Sequence, residues 1–160
     1  MRLQAVRPVE LLARAADSAA PSLVGAGVTV QVQDAAEDCW VMVDGDRLHE
    51  ALTNLVANAV RHTPPGGAVR LRSSSTGSTV DLEVVDTGEG IEPEHLPRVF
   101  ERFYRVDHGR TGGTGVGLTI TRALVEAHGG RVRARSPGPG RGASFVITLP
   151  RWHDSSPGKG

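Results

Sequence analysis

Two hydrophobic periods alternate along this chain of 160 residues. The first is helical, with apolar side chains at helix spacing after Pro8, a residue that suits the first turn of a helix. Its apolar positions are Val9, Leu12, Ala16 and Ala19. We expect the segment 21–27, which begins with proline and ends with glycine, to break this helix.

The second period is the alternation of apolar and polar residues that is typical of half-buried strands. It predicts strands at 28–32, 40–43, 68–72, 79–86, 131–135 and 143–149. A turn at 73–78 makes a hairpin of 68–72 and 79–86, and the Pro/Gly-rich segment 136–142 joins the last two strands.

Two longer helices and one short helical stretch complete the pattern. Asp44 or Asp46 can cap the first helix, which the segment 63–67 ends. Its apolar stripe comprises Leu48, Leu52, Leu55 and Ala59. The second runs from Val116 to His128 and stops at two glycines. Its inward positions are Leu118, Thr121, Leu124 and Val125. Residues 93–104 predict a short, proline-interrupted helical stretch.

This order of elements predicts an α+β fold, a two-layer α/β sandwich in which helices cover one face of a mixed, mainly antiparallel sheet. We expect one domain over 8–150, preceded by the remnant of an upstream linker at 1–7. The polar segment 151–160 predicts a disordered tail. Residues 105–114 lack hydrophobic periodicity and predict a mobile loop.

Composition excludes several classes of function. The chain has 18 basic and 18 acidic residues, so charge gives no reason to expect a nucleic acid or an anionic membrane as partner. Cys39 is the single cysteine and excludes an internal disulfide. No apolar run approaches the ~18–20 residues of a membrane span, and we expect the chain to be soluble.

Three segments carry candidate chemistry. Asn54 and Asn58 stand four apart, on one helix face, and amide oxygens suit a hard cation such as Mg²⁺. Asp86 precedes two glycines and offers an acceptor where a flat ring can approach the backbone. The glycines of 113–117 open a helix and present N–H groups to phosphate. Cation, base and phosphate together indicate an ATP-binding module.

In order, these segments resemble the boxes of the catalytic ATP-binding domain of sensor histidine kinases, within the GHKL (Bergerat-fold) superfamily. The resemblance runs from about 8 to 150 and implies ATP and Mg²⁺ as ligands. Segment 54–62 is similar to the N box, which implies Asn58 as the direct Mg²⁺ ligand and Asn54 as support for the ion or its waters. It also implies that Arg61 and His62 reach the phosphates, although His62 could simply cap the helix.

The other boxes extend this assignment. Segment 86–91 resembles the G1 box, which implies that Asp86 accepts a hydrogen bond from the adenine amino group and that the backbone at Gly88 and Gly90 lets the base approach, next to Ile91. Segment 100–105 resembles the F box and 105–114 the ATP lid. We expect Phe100 and Phe103 to pack at the base of the lid and Arg105 to contact phosphate.

Segment 113–118 resembles the G2 box. The implied nucleotide contacts there are Gly113, Thr114, Gly115, Val116, Gly117 and Leu118. The glycine spacing differs from a Rossmann fingerprint, and the chain has no P-loop. Residues 140–145 fit either a final Gly box or ordinary turn chemistry.

The resemblance implies a kinase rather than an ATPase. ATP-hydrolysing relatives place a Glu one helical turn before the metal-binding Asn, and here Asn54, an amide that cannot act as a base, occupies that position. Asn54, Asn58 and Arg61 would then form the catalytic set for transfer of the γ-phosphoryl group to a histidine on a separate dimerisation domain, absent here. His49 does not fit the phosphoacceptor phrase and is expected to face solvent, so the isolated chain should not phosphorylate itself.

The implied setting is a two-component system. The partners would be the parent's own dimerisation domain and a response regulator, with this domain a cytoplasmic monomer that makes no direct membrane contact, in a membrane-anchored sensor. Two alternatives stay open: a stand-alone anti-sigma-factor serine kinase of the same superfamily, and a non-catalytic, nucleotide-gated docking module. The arginines at 131, 133 and 135 predict a solvated face of an edge strand.

Overall fold

A computed structural model describes residues 1–36, 38–102 and 117–153. In chain order its elements are β1 (Gln4–Val6), α1 (Pro8–Ala26), β2 (Thr29–Ala35), β3 (Val41–Val43), α2 (Gly45–Arg61), β4 (Ala68–Ser75), β5 (Thr79–Asp86), a 3₁₀ turn (Leu96–Arg98), α3 (Gly117–Glu126), β6 (Arg131–Arg135) and β7 (Ala143–Pro150).

The main sheet has the order β2-β4-β5-β7-β6. The pair β2 and β4 is parallel, and the other three pairs are antiparallel. The parallel pair needs a crossover, which β3 and α2 provide. The sheet is therefore mixed and mainly antiparallel, as the sequence predicts, and β6 with its three arginines is an edge strand.

Helices cover one face of this sheet. Leu71 lies opposite Val84, which in turn lies opposite Phe145, and all three side chains are buried. They pack in one core with the apolar side of α2, where Leu52 and Leu55 are fully buried. The alternate positions of β4 and β5 include polar side chains, among them the ion pair of Arg72 Nη2 with Glu83 Oε1 at 2.6 Å. The two-layer sandwich of the sequence analysis is confirmed.

The first helix differs from its prediction, since α1 continues through Pro21 to Ala26 instead of breaking there. Proline removes one helical hydrogen bond, but the last turn is held by Leu23, which is 2% exposed. Gly27 ends the helix in the left-handed conformation at φ 69°, and its N–H bonds the carbonyls of Leu23 and Val24. Tertiary packing outweighs the local cost of proline.

Strand lengths also exceed the prediction. The parallel pairing of β2 continues to Ala35 opposite Ser74, so serines expected in a turn belong to β4. Only the residues between Ser75 and Thr79 remain to close the hairpin. Ladder hydrogen bonds with both neighbours extend β4 where the side-chain pattern has become polar.

Ordered structure extends beyond both predicted domain boundaries. The segment expected to be a linker remnant contains β1, which pairs antiparallel with β3. After Pro150, Arg151 N–H donates to Ser78 O at 2.9 Å and Trp152 N–H to Trp40 O at 2.8 Å. The predicted tail from residue 154 onward lies outside the described residues.

Asp44 joins the start of α2 to the segment before β1 and to the segment after α3. Its Oδ1 accepts from the N–H groups of Asp46 and Arg47, and its Oδ2 accepts from Arg2 N–H at 2.9 Å. Its own N–H donates to His128 Nε2 at 3.1 Å. The hydrogen bond from Arg2, with those from Arg47 and Asp46, holds the pKa of the Asp44 carboxyl below its ordinary value, against an opposing effect of burial.

We predict that Asp44→Asn lowers the melting temperature at pH 7, because the new amide N–H₂ faces the Arg2 N–H. A lowered pKa means that the ionised Asp44 stabilises the fold above the unfolded-state pKa and that this stability is lost as pH falls through the folded-state pKa. The gap between wild type and Asp44→Asn should therefore narrow towards pH 3. Thermal melts across this pH range measure it, with the exposed Asp46→Asn as control. If the difference in melting temperature between wild type and Asp44→Asn stayed constant from pH 7 to pH 3, the lowered pKa of Asp44 would be contradicted.

Candidate functional site

The two asparagines of α2 lie on the side of the helix that meets α3. Asn54 Nδ2 donates to Gly117 O, and Asn58 Oδ1 accepts from Arg61 Nη2, both at 3.4 Å. One turn earlier, buried Thr121 of α3 donates to Ala51 O at 3.2 Å. Asn58 is 8% exposed, and the hydrogen bond that its amide oxygen accepts from Arg61 is long.

Asp86 ends β5 and is 4% exposed. Its Oδ1 accepts from Gly88 N–H at 2.8 Å and from Ala143 N–H at 3.2 Å. Burial raises the pKa of the Asp86 carboxyl above its ordinary value, and these two hydrogen bonds oppose the rise. Both fall on Oδ1, so Oδ2 receives neither of them.

The turn formed by residues 86–91, called the G1 turn below, contacts the end of α2 at Gly88. A Cβ on Gly88 would lie 2.1 Å from His62 O, a separation that no side chain tolerates. A Cβ on Gly90, whose φ is 74°, would lie 2.2 Å from Gly138 O. The resemblance implies that both glycines let adenine approach, and each is also required by the protein's own backbone.

His62 caps the end of α2 and contacts the G1 turn. Its Nδ1 lies 2.5 Å from Glu89 Oε1, and Glu89 N–H donates to His62 O at 3.1 Å. Of its two ring nitrogens, therefore, only Nε2 stays available for the phosphate contact that the resemblance implies. The contact of Glu89 with His62 was not predicted, because Glu89 stands between two glycines and is far from His62 in sequence.

The turn at 136–142 packs onto the G1 turn. Ile91 N–H donates to Ser136 Oγ at 3.0 Å, and Gly142 N–H donates to Gly88 O at 3.0 Å. Gly142 has φ 75°, and a Cβ there would lie 2.2 Å from Asp86 O. Gly142 belongs to the segment 140–145, for which a Gly box and ordinary turn chemistry were both open, and it supports the residues around Asp86. Ser136 has no sequence signal beyond its place in a loop.

A hydrogen bond joins the described segments that precede and follow the predicted lid in sequence. Thr119 Oγ1 of α3 donates to Phe100 O at 3.0 Å. Phe100 is 8% exposed and packs edge-to-face on Phe145, with ring centroids 6.0 Å apart, so it is a core residue. Its place at the base of the lid stays a prediction, because residues 105–114 lie outside the described residues. Leu118 is partly buried against the core. The other predicted contacts lie outside the described residues: Phe103, Arg105, Gly113, Thr114, Gly115 and Val116.

His49, which was expected to face solvent, is half-buried. Its Nε2 lies 3.1 Å from Ser18 Oγ of α1 in an exposed contact, because α1 packs along this side of α2. Burial lowers the pKa of the His49 imidazole below its ordinary value. Its Nδ1 is buried without a hydrogen-bond partner among the described residues.

Comparisons with known proteins agree with this geometry. The family described as "Histidine kinase-, DNA gyrase B-, and HSP90-like ATPase" matches residues 43–153, which include Asn54, Asn58 and Asp86. The chain belongs to this family. ATP binding follows from the membership.

Curated relatives narrow the kind of ATPase domain. The chain is 44% identical to the sensor histidine kinase CusS of Escherichia coli O157:H7 over 124 residues, covering 76% of the chain and 25% of CusS. It is 45% identical to the sensor protein SrrB of Staphylococcus aureus over 111 residues, covering 68% of the chain and 19% of SrrB. The chain therefore spans about a quarter or less of the length of these relatives.

Solved structures show the same fold. The mycobacterial sensor histidine kinase MprB superposes with a TM-score of 0.82 at 28% identity, covering 94% of this chain and 98% of that one. Full-length ShkA in complex with AMPPNP gives 0.85 at 30% identity, covering 98% of this chain and 33% of that one. The chain is an ATP-binding catalytic domain of the histidine kinase type. Among its described helices, none is long and apolar enough to cross a membrane.

We predict that Gly88→Ala lowers the free energy of unfolding by about 2 kcal/mol or more, because the new Cβ would lie 2.1 Å from the backbone oxygen of His62 and 2.9 Å from Asp86 Oδ1. Gly77→Ala is the control: nothing lies within 4 Å of its Cβ, and the expected change is within ~0.5 kcal/mol. Urea denaturation of both variants measures the difference. Equal stabilities would show that the G1 turn does not lie against His62.

Proposed function

We propose that this domain binds ATP with Mg²⁺ and donates the γ-phosphoryl group to a histidine on a separate dimerisation domain in two-component signalling. The proposal depends on the close approach of Gly88 to His62 O, which brings the turn after β5 against the end of α2. The two elements carry a buried carboxylate, Asp86, and a buried amide, Asn58. One group suits the adenine amino group and the other suits the metal.

Asp86 is the proposed adenine acceptor. Its Oδ1 is occupied by two backbone N–H groups, which fix the carboxylate plane and leave Oδ2 for a ligand donor. Half-buried Gly90 and Ile91 follow on the same turn and would line the base. Burial raises the pKa of the Asp86 carboxyl, and carboxyl groups with perturbed pKa values are often found in functional sites.

Asn58 is the proposed Mg²⁺ ligand. Its amide oxygen is a hard oxygen ligand of the kind that Mg²⁺ binds, and the 3.4 Å hydrogen bond from Arg61 is weak enough to exchange. Bound Mg²⁺ would supply charge neutralisation on the phosphates. Arg61 and His62, at the end of the same helix, are the proposed basic groups near the phosphates, with Asn54 in support.

The site has no base at the position where ATPases of this family hold Glu. Asn54 is an amide whose Nδ2 donates to Gly117 O, so it cannot take a proton from water. Glu50 lies two turns before Asn58, about 12 Å along the helix. Phosphoryl transfer, in contrast, needs mainly positioning and charge neutralisation, and the nucleophile can come from another domain.

The remaining parts of the proposal concern residues and partners beyond the described site. Arg105 and the G2 segment, from Gly113 to Leu118, would cover the phosphates. The acceptor histidine, the dimerisation domain and a response regulator belong to the parent kinase, a membrane-anchored sensor with this domain a monomer on the cytoplasmic side. The named relatives are sensor kinases, which favours a histidine acceptor over the serine of anti-sigma-factor kinases.

We predict that Asp86→Asn binds ATP at least about tenfold more weakly, because its amide N–H₂ would face the adenine amino group and a charge-assisted hydrogen bond is lost. Asn keeps an acceptor for Gly88 and Ala143. A raised pKa means that the ionised Asp86 contributes no stability at pH 7, so the variant should melt at or above the wild-type temperature without nucleotide. Unchanged ATP affinity would remove Asp86 from the site.

We also predict that the wild type transfers ³²P from ATP to a histidine on a purified kinase dimerisation domain, with almost no ATP hydrolysis when alone. Asn58→Ala should abolish the transfer, since the metal ligand is lost, while Thr53→Ala on the exposed side of α2 serves as control. Transfer is measured by acid-labile label. Label on serine would contradict the proposed histidine kinase activity. Steady ATP hydrolysis near 1 s⁻¹, a rate in the ordinary enzyme range, would contradict it as well.

A further inference from the structure

Glu89 has no role in the proposed function, yet it is joined to His62 twice. The main chains meet through Glu89 N–H to His62 O at 3.1 Å. The side chains meet through His62 Nδ1 and Glu89 Oε1 at 2.5 Å. Two contacts between the same residues fix the direction of the imidazole ring as well as its position.

The pairing decides which ring nitrogen a ligand can use. A carboxylate only accepts hydrogen bonds, so Nδ1 carries the hydrogen in this pair and Nε2 is the nitrogen left for a ligand. The His62 side chain is 26% exposed, and the ring is therefore accessible. It lies one helical turn after Asn58, the proposed metal ligand.

We propose that Glu89 is a positioning residue that orients His62 so that Nε2 contacts the phosphates of the bound nucleotide. This rests on the proposed function. Carboxylates that accept from one nitrogen of an imidazole orient the other nitrogen in many metal and catalytic sites. The pairing also directs the negative charge of Glu89 towards His62, in a site where an uncompensated carboxylate would repel polyphosphate.

The competing explanation is that Glu89 only holds the G1 turn against α2. Such a contact would support Asp86 and Asn58 alike, because Asp86 ends β5 and Asn58 lies on α2. Removing the contact would then lower the affinities for adenosine and ATP by the same factor. If Glu89 orients His62, only the affinity for ligands that carry phosphate should fall.

The test uses Glu89→Ala, which removes the hydrogen-bond acceptor, and Glu89→Gln, which keeps an acceptor oxygen on a side chain of the same length. Glu94→Gln is the matched control, because it removes a negative charge from the same segment where the side chain is 71% exposed. The dissociation constant of ATP with Mg²⁺ is measured by calorimetry, that of adenosine by NMR titration, and the fold by thermal melting without ligand.

Glu89→Ala should weaken ATP about tenfold, the effect of one lost hydrogen bond to a charged group, and leave adenosine unchanged. Glu89→Gln should fall between Glu89→Ala and wild type, and Glu94→Gln should match wild type. In a His62→Ala background, Glu89→Ala should cause no further loss of ATP affinity, because no ring remains to orient.

Three results would overturn the proposal: ATP affinity in Glu89→Ala equal to or above wild type, an equal loss for adenosine, or additive losses with His62→Ala. If Glu89→Ala does not fold, the comparison of ATP with adenosine in Glu89→Gln decides. Failure of the proposed function is distinct, because the wild type itself would then not bind ATP with Mg²⁺.

Discussion

The close approach of the G1 turn to the end of α2 is the constraint on which the site depends. At Gly88 the two backbones come so near that any side chain would meet His62 O. Because α2 carries Asn58 and β5 delivers Asp86, this contact sets the distance between the proposed metal and adenine positions. The turn at 136–142 packs onto the same segment and holds it from the other side.

A buried charge at Asp86 shows that the fold accommodates a group that does not stabilise it. Its carboxylate is almost inaccessible, and burial raises its pKa despite two backbone hydrogen bonds. An asparagine there could make the same two bonds without the cost of a buried charge. The retention of aspartate is understood if a ligand, not the folded protein, completes its hydrogen bonding.

Much of the fold could be predicted from the sequence, because apolar residues recur regularly at helical spacing or alternate with polar residues along the strands. The alternation in β5 and the stripe on α2 both predicted the faces that are buried. The error at Pro21 arose because a local rule was applied where the packing of Leu23 decides. The length of β4 was underestimated because ladder pairing, which no single strand reveals, extends past its hydrophobic pattern.

The site was less completely predictable. Asn54, Asn58 and Asp86 stand in recognisable spacing, and the structure places each on the expected element. The pairing of His62 with Glu89 was not predicted, since it joins residues 27 positions apart on different elements. The same is true of His49, whose partner Ser18 lies on another helix.

Thermal melting with and without ATP and Mg²⁺ tests the central claim most directly. Binding to the folded state alone adds about 2.7 kcal/mol of stability at a ligand concentration one hundred times the dissociation constant. We expect a clear rise in the melting temperature of the wild type and, with Asn58→Ala, loss of the part of that rise that depends on Mg²⁺. An unchanged wild-type melting temperature at millimolar ATP would contradict the account.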